Sequence, residues 1–367
     1  MMLRKGSRRP DKQVKIAGRT IGPGHPPYIV AEMSGNHNHD LTRALRIIEA
    51  AKEAGADAVK LQTYRADTIT IDSNRDEFIV KGGLWDGRRL YELYEEAHTP
   101  WDWHAPIFEH ARKLGIAVFS SPFDPTAVDL LEDLGVPAYK IASPELIDLP
   151  LIRKVATLGK PMILSTGAAT FEEITEAVEA ARTAGCDDLI LLHCTAAYPA
   201  PPEEANLATL RELSQAFNVV VGLSDHTLGT YVSSLAVGLG ANFIEKHFTL
   251  ARADGGVDSA FSIEPKELAE LVQTARSAQL AVGTPCFGPT KSESSVLSNR
   301  RSLYVVKPIS KGEMFTADNV RSIRPANGLK PKYLENVLGK VAARDIAHGE
   351  PLEFSMVSEW HQSSIKV

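Results

Sequence analysis

The sequence predicts a (β/α)8 barrel followed by a small, mostly β domain, on three observations. Eight short apolar, strand-like runs alternate with segments whose apolar residues recur at helical spacing. Glycines stand where a helical pattern ends and a strand is about to begin. The alternation stops near Pro285, and the chain then changes texture.

The eight runs cover residues 28–33, 57–64, 117–123, 138–143, 161–167, 188–195, 219–226 and 242–249. Between the first two, Leu41, Leu45, Ile48 and Ala51 mark one face of a helix, and the last helical pattern begins near Pro265. Gly55, Gly115, Gly135, Gly159, Gly185 and Gly240 occupy the joins, where a chain leaving a helix often turns left-handed. Strands alternating with helices pair in parallel through right-handed crossovers. Eight such units in roughly 260 residues fit a closed barrel. A doubly wound open sheet is the competing arrangement, but no GxGxxG follows the first strand to favour it. The barrel is assigned to residues 21–285, a Ser-rich linker to 286–300 and the small domain to 301–367. In the small domain, residues 302–306 read as a strand. Two similar turns, Ile309-Ser310-Lys311-Gly312-Glu313 and Ile346-Ala347-His348-Gly349-Glu350, suggest an internal pseudo-repeat. About 60 residues bury only a thin core, so this domain is expected to lean on something larger.

Residues 1–20 carry seven Lys or Arg against one acid, Asp11, and no apolar stretch follows. That reads as a basic, disordered tail rather than a secretory signal. No apolar run approaches the ~20 residues of a membrane-spanning helix. The net charge of -6 argues against a nucleic-acid partner but leaves room for a local cationic cluster that takes a small anion. Cys186, Cys194 and Cys286 form no CxxC and no paired framework, which suits a reducing cytoplasm.

In this fold the active site forms at the carboxyl ends of the strands. Strand by strand, those ends offer Glu32; Lys60 and Gln62; Ser120, Ser121 and Phe123; Lys140, Ser143 and Glu145; Ser165 and Thr166; His193, Thr195 and Tyr198; Ser224 and His226; Glu245 and His247. Lys, Glu and His are costly to bury unless paired or functional, so their recurrence at one end marks a site. Side chains two apart on a strand point the same way, which aligns Lys60 with Gln62, Ser224 with His226 and Glu245 with His247. Neutral imidazoles from neighbouring strands, His226 and His247, could share a divalent cation. Without cysteine ligands beside them, Mn²⁺ or Mg²⁺, with Co²⁺ as a further candidate, suits the pair better than structural zinc. Lys60 and Lys140 suit a small substrate bearing phosphate or carboxylate, with Ser121, Ser143, Ser165 and Ser224 as further donors. Two other readings of the lysines stand beside this one: partners for barrel glutamates, or a Schiff-base nucleophile of a pyruvate-dependent aldolase.

Other features are weaker. Asn36-His37-Asn38-His39 looks like a metal cluster on paper, but its place in the first strand-helix loop favours substrate contact or loop hydrogen bonding. His193 divides evenly between a packed strand residue and a site residue, and Cys194, pointing the opposite way, reads as core. Residues 81–104, with Trp85, Tyr91, Tyr94, Trp101, Trp103, Arg88 and Arg89, are too long for an ordinary connection and suggest a substrate lid or an oligomer contact.

These residues resemble the sialic acid synthases and their bacterial relatives over nearly the whole chain after the tail. The resemblance rests on Ala31-Glu32-Met33-Ser34-Gly35-Asn36-His37-Asn38, Val59-Lys60-Leu61-Gln62-Thr63, Ser120-Ser121-Pro122-Phe123 and Tyr139-Lys140-Ile141-Ala142-Ser143. It continues through Leu164-Ser165-Thr166-Gly167, His193-Cys194-Thr195, Gly222-Leu223-Ser224-Asp225-His226-Thr227 and Glu245-Lys246-His247-Phe248-Thr249. The region of Ile323-Arg324-Pro325-Ala326-Asn327-Gly328 is similar to the antifreeze-like (SAF) module of such synthases. Within the family, Met33-Ser34-Gly35 and Gly82-Gly83-Leu84-Trp85-Asp86-Gly87 look most like pseudaminic acid synthases, and Ala196 departs from the asparagine of N-acetylneuraminate synthases. The resemblance implies a metal-dependent condensation of phosphoenolpyruvate with 2,4-diacetamido-2,4,6-trideoxy-altrose; a sialic or legionaminic acid synthase is its near neighbour. It further implies phosphoenolpyruvate on Lys60, Lys140 and the serines, and metal on His226 and His247. Glu145 would then transfer protons, with Glu32 and Glu245 as further catalytic acids, and Gln62, Phe123, Tyr198 and Asp258 would contact sugar. Arg324 would reach the barrel mouth of a partner in a domain-swapped homodimer. A carbohydrate-binding protein that keeps a barrel only as scaffold is the non-enzymatic alternative.

Overall fold

In the computed structural model, which describes residues 12–360, eight parallel strands close into a barrel. They are β1 (Tyr28–Glu32), β2 (Ala58–Thr63), β3 (Ala117–Pro122), β4 (Tyr139–Ile141), β5 (Met162–Ser165), β6 (Leu189–Cys194), β7 (Val220–Asp225) and β8 (Phe243–His247). Each lies inside its expected run, and β8 closes on β1 with His247 beside Glu32. Helices connect successive strands, and the last, Pro265–Val282, follows β8. The six glycines at the joins all take positive φ, between 66° and 111°.

Strand alternation sorts side chains into two layers. Outward residues such as Ile29, Val59, Leu61, Leu164, Leu191, Leu223 and Ile244 pack beneath the helices. Inward residues near the strand starts, among them Tyr28, Val30, Phe119, Ile163, Ile190, Val220 and Phe243, fill the lower barrel. Gly222 lets two strands approach there: a Cβ on it would stand 2.3 Å from the Phe243 carbonyl oxygen.

Two assignments need correction. Of the expected basic tail (residues 1–20), residues 1–11 lie outside the described residues, but Val14–Ile16 and Arg19–Ile21 form an antiparallel hairpin. Val14, Ile16 and Ile21 are buried in the lower-barrel cluster, so the hairpin caps the end away from the active site. Lys15 and Arg19 had masked this alternation of apolar residues. The expected linker also holds a 3-10 helix, Lys291–Asn299, opened by a capping box of Thr290 and Glu293.

The chain divides into two compact units at Gly283/Thr284. In the second, β9 (Ser302–Val305) pairs antiparallel with β10 (Val320–Ile323). Leu303, Val305, Phe315, Val320 and Leu352 form its core. The expected pseudo-repeat is present. In one turn the Ser310 N–H donates to the Glu313 carboxylate at 2.8 Å, and in the other the Ala347 N–H donates to Glu350 at 2.7 Å. Ile309 and Ile346 join the turns through a reciprocal pair of backbone hydrogen bonds, 2.9 and 2.8 Å.

Candidate active site

The upper barrel holds a network of charges drawn from four of its eight strands. Register sets Glu32 beside Lys60, and Glu245 beside Ser224. The Lys60 ammonium lies 2.8 Å from Glu32 and 3.8 Å from Glu245, and donates to the Ser121 hydroxyl at 3.3 Å. Lys140 donates to both oxygens of Glu245, at 3.0 and 3.1 Å, and the Ser224 hydroxyl donates to the same carboxylate at 3.1 Å. Gln62 donates to Glu32 at 3.1 Å. Both lysines are therefore paired with barrel glutamates, one of the readings left open above.

Burial in a low-dielectric interior favours neutral forms, and neighbouring charges decide which groups escape that. Glu32 is pushed up to about 7 by burial, against the pull of Lys60. For Glu245 burial acts in the same sense, but Lys140 and Lys60 outweigh it and hold the carboxyl below its usual range. Burial lowers Lys140 in spite of Glu245, whereas the two glutamates raise Lys60 against its burial. Glu145, half-buried in the 3-10 turn Pro144–Ile147 just after β4, is pushed up to about 7 by burial, and one of its carboxyl oxygens has no hydrogen-bond partner.

Above this network the imidazoles of His226 and His247 face each other with ring centroids 5.4 Å apart. Burial lowers His226 to about 4 and His247 well below its ordinary value, so both rings are neutral. His226 donates through Nδ1 to the Thr195 carbonyl at 2.9 Å, which leaves its Nε2 lone pair free to ligate. His247 Nδ1 is buried without a hydrogen-bond partner, and the nearest carboxylate, Asp258, stands 3.9 Å away. A neutral imidazole with a free Nε2 lone pair and another with an orphaned nitrogen fit a shared divalent cation. Among the described residues no group of three or more His, Cys, Asp or Glu gathers as a metal cage, so two imidazoles would be the protein's share.

The remaining expected residues surround this centre. Ser165 Oγ is buried with no partner, and Ser143 Oγ accepts from the Gly167 N–H at 3.0 Å. Tyr198 lies over His226 at 4.4 Å, and Phe123 packs on Tyr64 at 5.1 Å. Asp258 accepts from the Ser34 hydroxyl, which ties the β1 loop to the loop after β8. Gly35 permits that closeness, since a Cβ there would meet Val257 Cγ2 at 2.5 Å. Arg324, in the second unit, is exposed and has no ion-pair partner among the described residues.

On β6 the structure decides the direction of His193 and reverses the expected roles of Cys194 and Thr195. His193 points away from the barrel interior, its Nε2 meeting the Ala205 carbonyl at 2.8 Å, and Thr195 donates to Glu204 O at 3.0 Å. Cys194, expected in the core, points inward and brings its sulfur 3.8 Å from His226 Nδ1. Residues 189–192 are all Leu or Ile, so polarity gave no phase, and the single polar His193 left two phases open. Ser120 likewise faces outward, against Thr63 at 2.6 Å. The Asn36–His39 loop is held by hydrogen bonds: Asn36 donates to Phe248 O and Ser262 Oγ, at 3.0 and 2.9 Å, and His37 is buried against Thr99. Phe261 reaches the site without having been singled out, whereas Ser34 was named only within a family motif and Trp85 only within the expected lid segment.

Comparison with known proteins agrees with this geometry. Residues 47–286 match the NeuB family and residues 300–358 match the SAF domain. The chain is 47% identical to a pseudaminic acid synthase of Campylobacter jejuni over 329 residues, 89% of this chain and 95% of that protein. It is 40% identical to an N,N'-diacetyllegionaminic acid synthase of the same organism, over 88% of this chain and 97% of that one. The crystal structure of an N-acetylneuraminic acid synthetase from Leptospira borgpetersenii, in complex with citrate, superposes with a TM-score of 0.70 at 32% identity, covering 78% of this chain and 95% of that one. Barrel, appended module and sequence agree, and the chain belongs to the NeuB family.

Proposed function

We propose that the barrel mouth condenses phosphoenolpyruvate with 2,4-diacetamido-2,4,6-trideoxy-altrose to give pseudaminic acid and inorganic phosphate. The observation that carries this reading is the pairing of two buried ammoniums, Lys60 and Lys140, around one carboxylate, Glu245, next to two neutral imidazoles 5.4 Å apart. The similarity to a named pseudaminic acid synthase, stronger than that to a legionaminic acid synthase, supports the choice of sugar.

Phosphoenolpyruvate takes its phosphate and carboxylate to Lys60, Lys140 and the hydroxyls of Ser121, Ser143, Ser165 and Ser224. Glu32 and Glu245 fix the ammoniums in place for it. Gln62, Phe123, Tyr198 and Asp258 line the open-chain sugar, and Arg324 arrives from the SAF domain of a partner subunit in a homodimer. His226 and His247 would hold a divalent ion, Mn²⁺, Mg²⁺ or Co²⁺, which would supply orientation and polarisation of the sugar aldehyde. C3 of the enol attacks the aldehyde carbon, and the aldehyde oxygen takes the proton of Glu145, whose raised affinity keeps it available near neutrality. Positive charge is left at C2. Water adds there and returns a proton to Glu145; the bond from C2 to the phosphate-bearing oxygen then breaks, and the C2 hydroxyl passes its proton to the departing phosphate, leaving a ketone and free phosphate.

The test is phosphate release from phosphoenolpyruvate, with one sugar and one metal at a time. Release is expected only when both an amino sugar and a divalent ion are present. Release without sugar, or undiminished after chelation, overturns the reading. A lysine trapped by borohydride with pyruvate would point instead to the Schiff-base aldolase.

A further inference from the structure

Trp85 has no part in the scheme above, yet its indole enters the site. It stands half-buried among exposed neighbours, in the long connection between β2 and β3. Its Nε1–H donates to the Val257 carbonyl at 3.0 Å, which ties this connection to the loop that carries Asp258. The indole lies 5.7 Å from the Tyr198 ring and 6.4 Å from the Phe261 ring. Those two rings lie 4.4 Å from His226 and 4.9 Å from His247, respectively. The three aromatics thus form a wall that starts at the imidazoles and runs outward, with Trp85 at its far end.

A sugar whose aldehyde sits at the imidazoles carries its last carbon away from them, toward the indole. The indole's single donor is already committed to Val257, so at its far end the wall offers an indole face that is apolar and has no free donor. A methyl group is welcome on such a face, whereas a hydroxyl loses its water without replacement. We propose that Trp85 determines specificity by packing on the terminal methyl of a 6-deoxy sugar and discriminating against the 6-hydroxymethyl counterpart. This rests on the synthase reading above and adds to it the part of the substrate that the lid segment recognises.

An apolar wall rejects an added hydroxyl by about a hundredfold at most. Phosphate release is measured for wild type, Trp85→Ala and Trp85→Phe with 2,4-diacetamido-2,4,6-trideoxy-altrose and with its 6-hydroxy analogue. Wild type is expected to prefer the deoxy sugar by roughly ten- to a hundredfold in kcat/KM. Trp85→Ala should bring that ratio close to one, chiefly through a raised KM for the deoxy sugar. Trp85→Phe, which keeps an aromatic face but loses the bond to Val257, should retain part of the preference. The unreactive alditol of the deoxy sugar should change tryptophan fluorescence in wild type, and the change should vanish in Trp85→Phe. If Trp85→Ala lowers kcat equally for both sugars, the indole is only a latch and the proposal fails while the synthase reading stands. A fluorescence change that persists in Trp85→Phe, or a wild-type preference for the 6-hydroxy sugar, also overturns it. Wild type that releases phosphate with neither sugar sinks the synthase reading and this proposal together.

Discussion

The two halves of the barrel interior are built from the same eight strands and could hardly differ more in chemistry. Below, Tyr28, Phe119, Ile163, Ile190 and Phe243 interlock, and the hairpin residues Val14, Ile16 and Ile21 close the end. Above, toward the carboxyl ends of four of those strands, stand Glu32, Lys60, Lys140 and Glu245, all buried. The lower half stabilises by removing apolar surface from water. The upper half works against stability, because buried ion pairs recover their desolvation cost only with close geometry and full hydrogen bonding. The orphaned oxygens and nitrogens of Glu145, Ser165 and His247 fall in the upper half, where a substrate can satisfy them.

The sharpest way to break this comparison is to make the upper half resemble the lower one. Replacing Lys140 and Glu245 together with Met leaves the Lys60–Glu32 pair intact. It should remove a thousandfold or more of activity, about 4 kcal/mol of transition-state stabilisation. The same double variant should melt no lower than wild type, since apolar replacement of a buried pair is commonly neutral or stabilising. A large fall in Tm would show that the charges support the fold. In the lower half the expectation reverses. Phe243→Ala should cost ~3–5 kcal/mol in denaturant unfolding while kcat per folded molecule is kept.

A smaller effect separates Glu145 from the lysine network. Its carboxyl is raised from 4.5 to about 7, so it is protonated below that point and loses its proton above it. Activity that needs the acid should fall as pH rises through about 7, and Glu145→Gln should lose that limb along with roughly a hundredfold in kcat. The sign for stability is the same. The unfolded chain ionises this group at lower pH than the fold does, so its contribution is full below about 4.5 and is lost as pH rises through about 7. In Glu145→Gln that part of the pH dependence should vanish. An unchanged pH–rate profile would remove Glu145 from proton transfer.

Much of the upper half was legible because its polar residues interrupt apolar strands. Lys60, Lys140, Ser224, Glu245, His226 and His247 could be placed by period-two alternation alone. Cys194 was misplaced and His193 left undecided because β6 is apolar on both faces, a consequence of a sheet covered by helices on one side and filled on the other. The hairpin escaped notice because two-residue alternation over three-residue strands is too short to stand out among basic residues.

The sequence by itself determined the barrel, the runs that contain its strands, the end that carries the chemistry and the family, since local periodicity and short motifs encode all four. Tertiary structure alone decided that each lysine pairs with a glutamate from another strand, that Trp85 meets Tyr198 across more than a hundred residues, and that the N-terminal hairpin closes the barrel floor. Those contacts join segments remote in the chain, and closure of the barrel, not any local preference, brings them within reach.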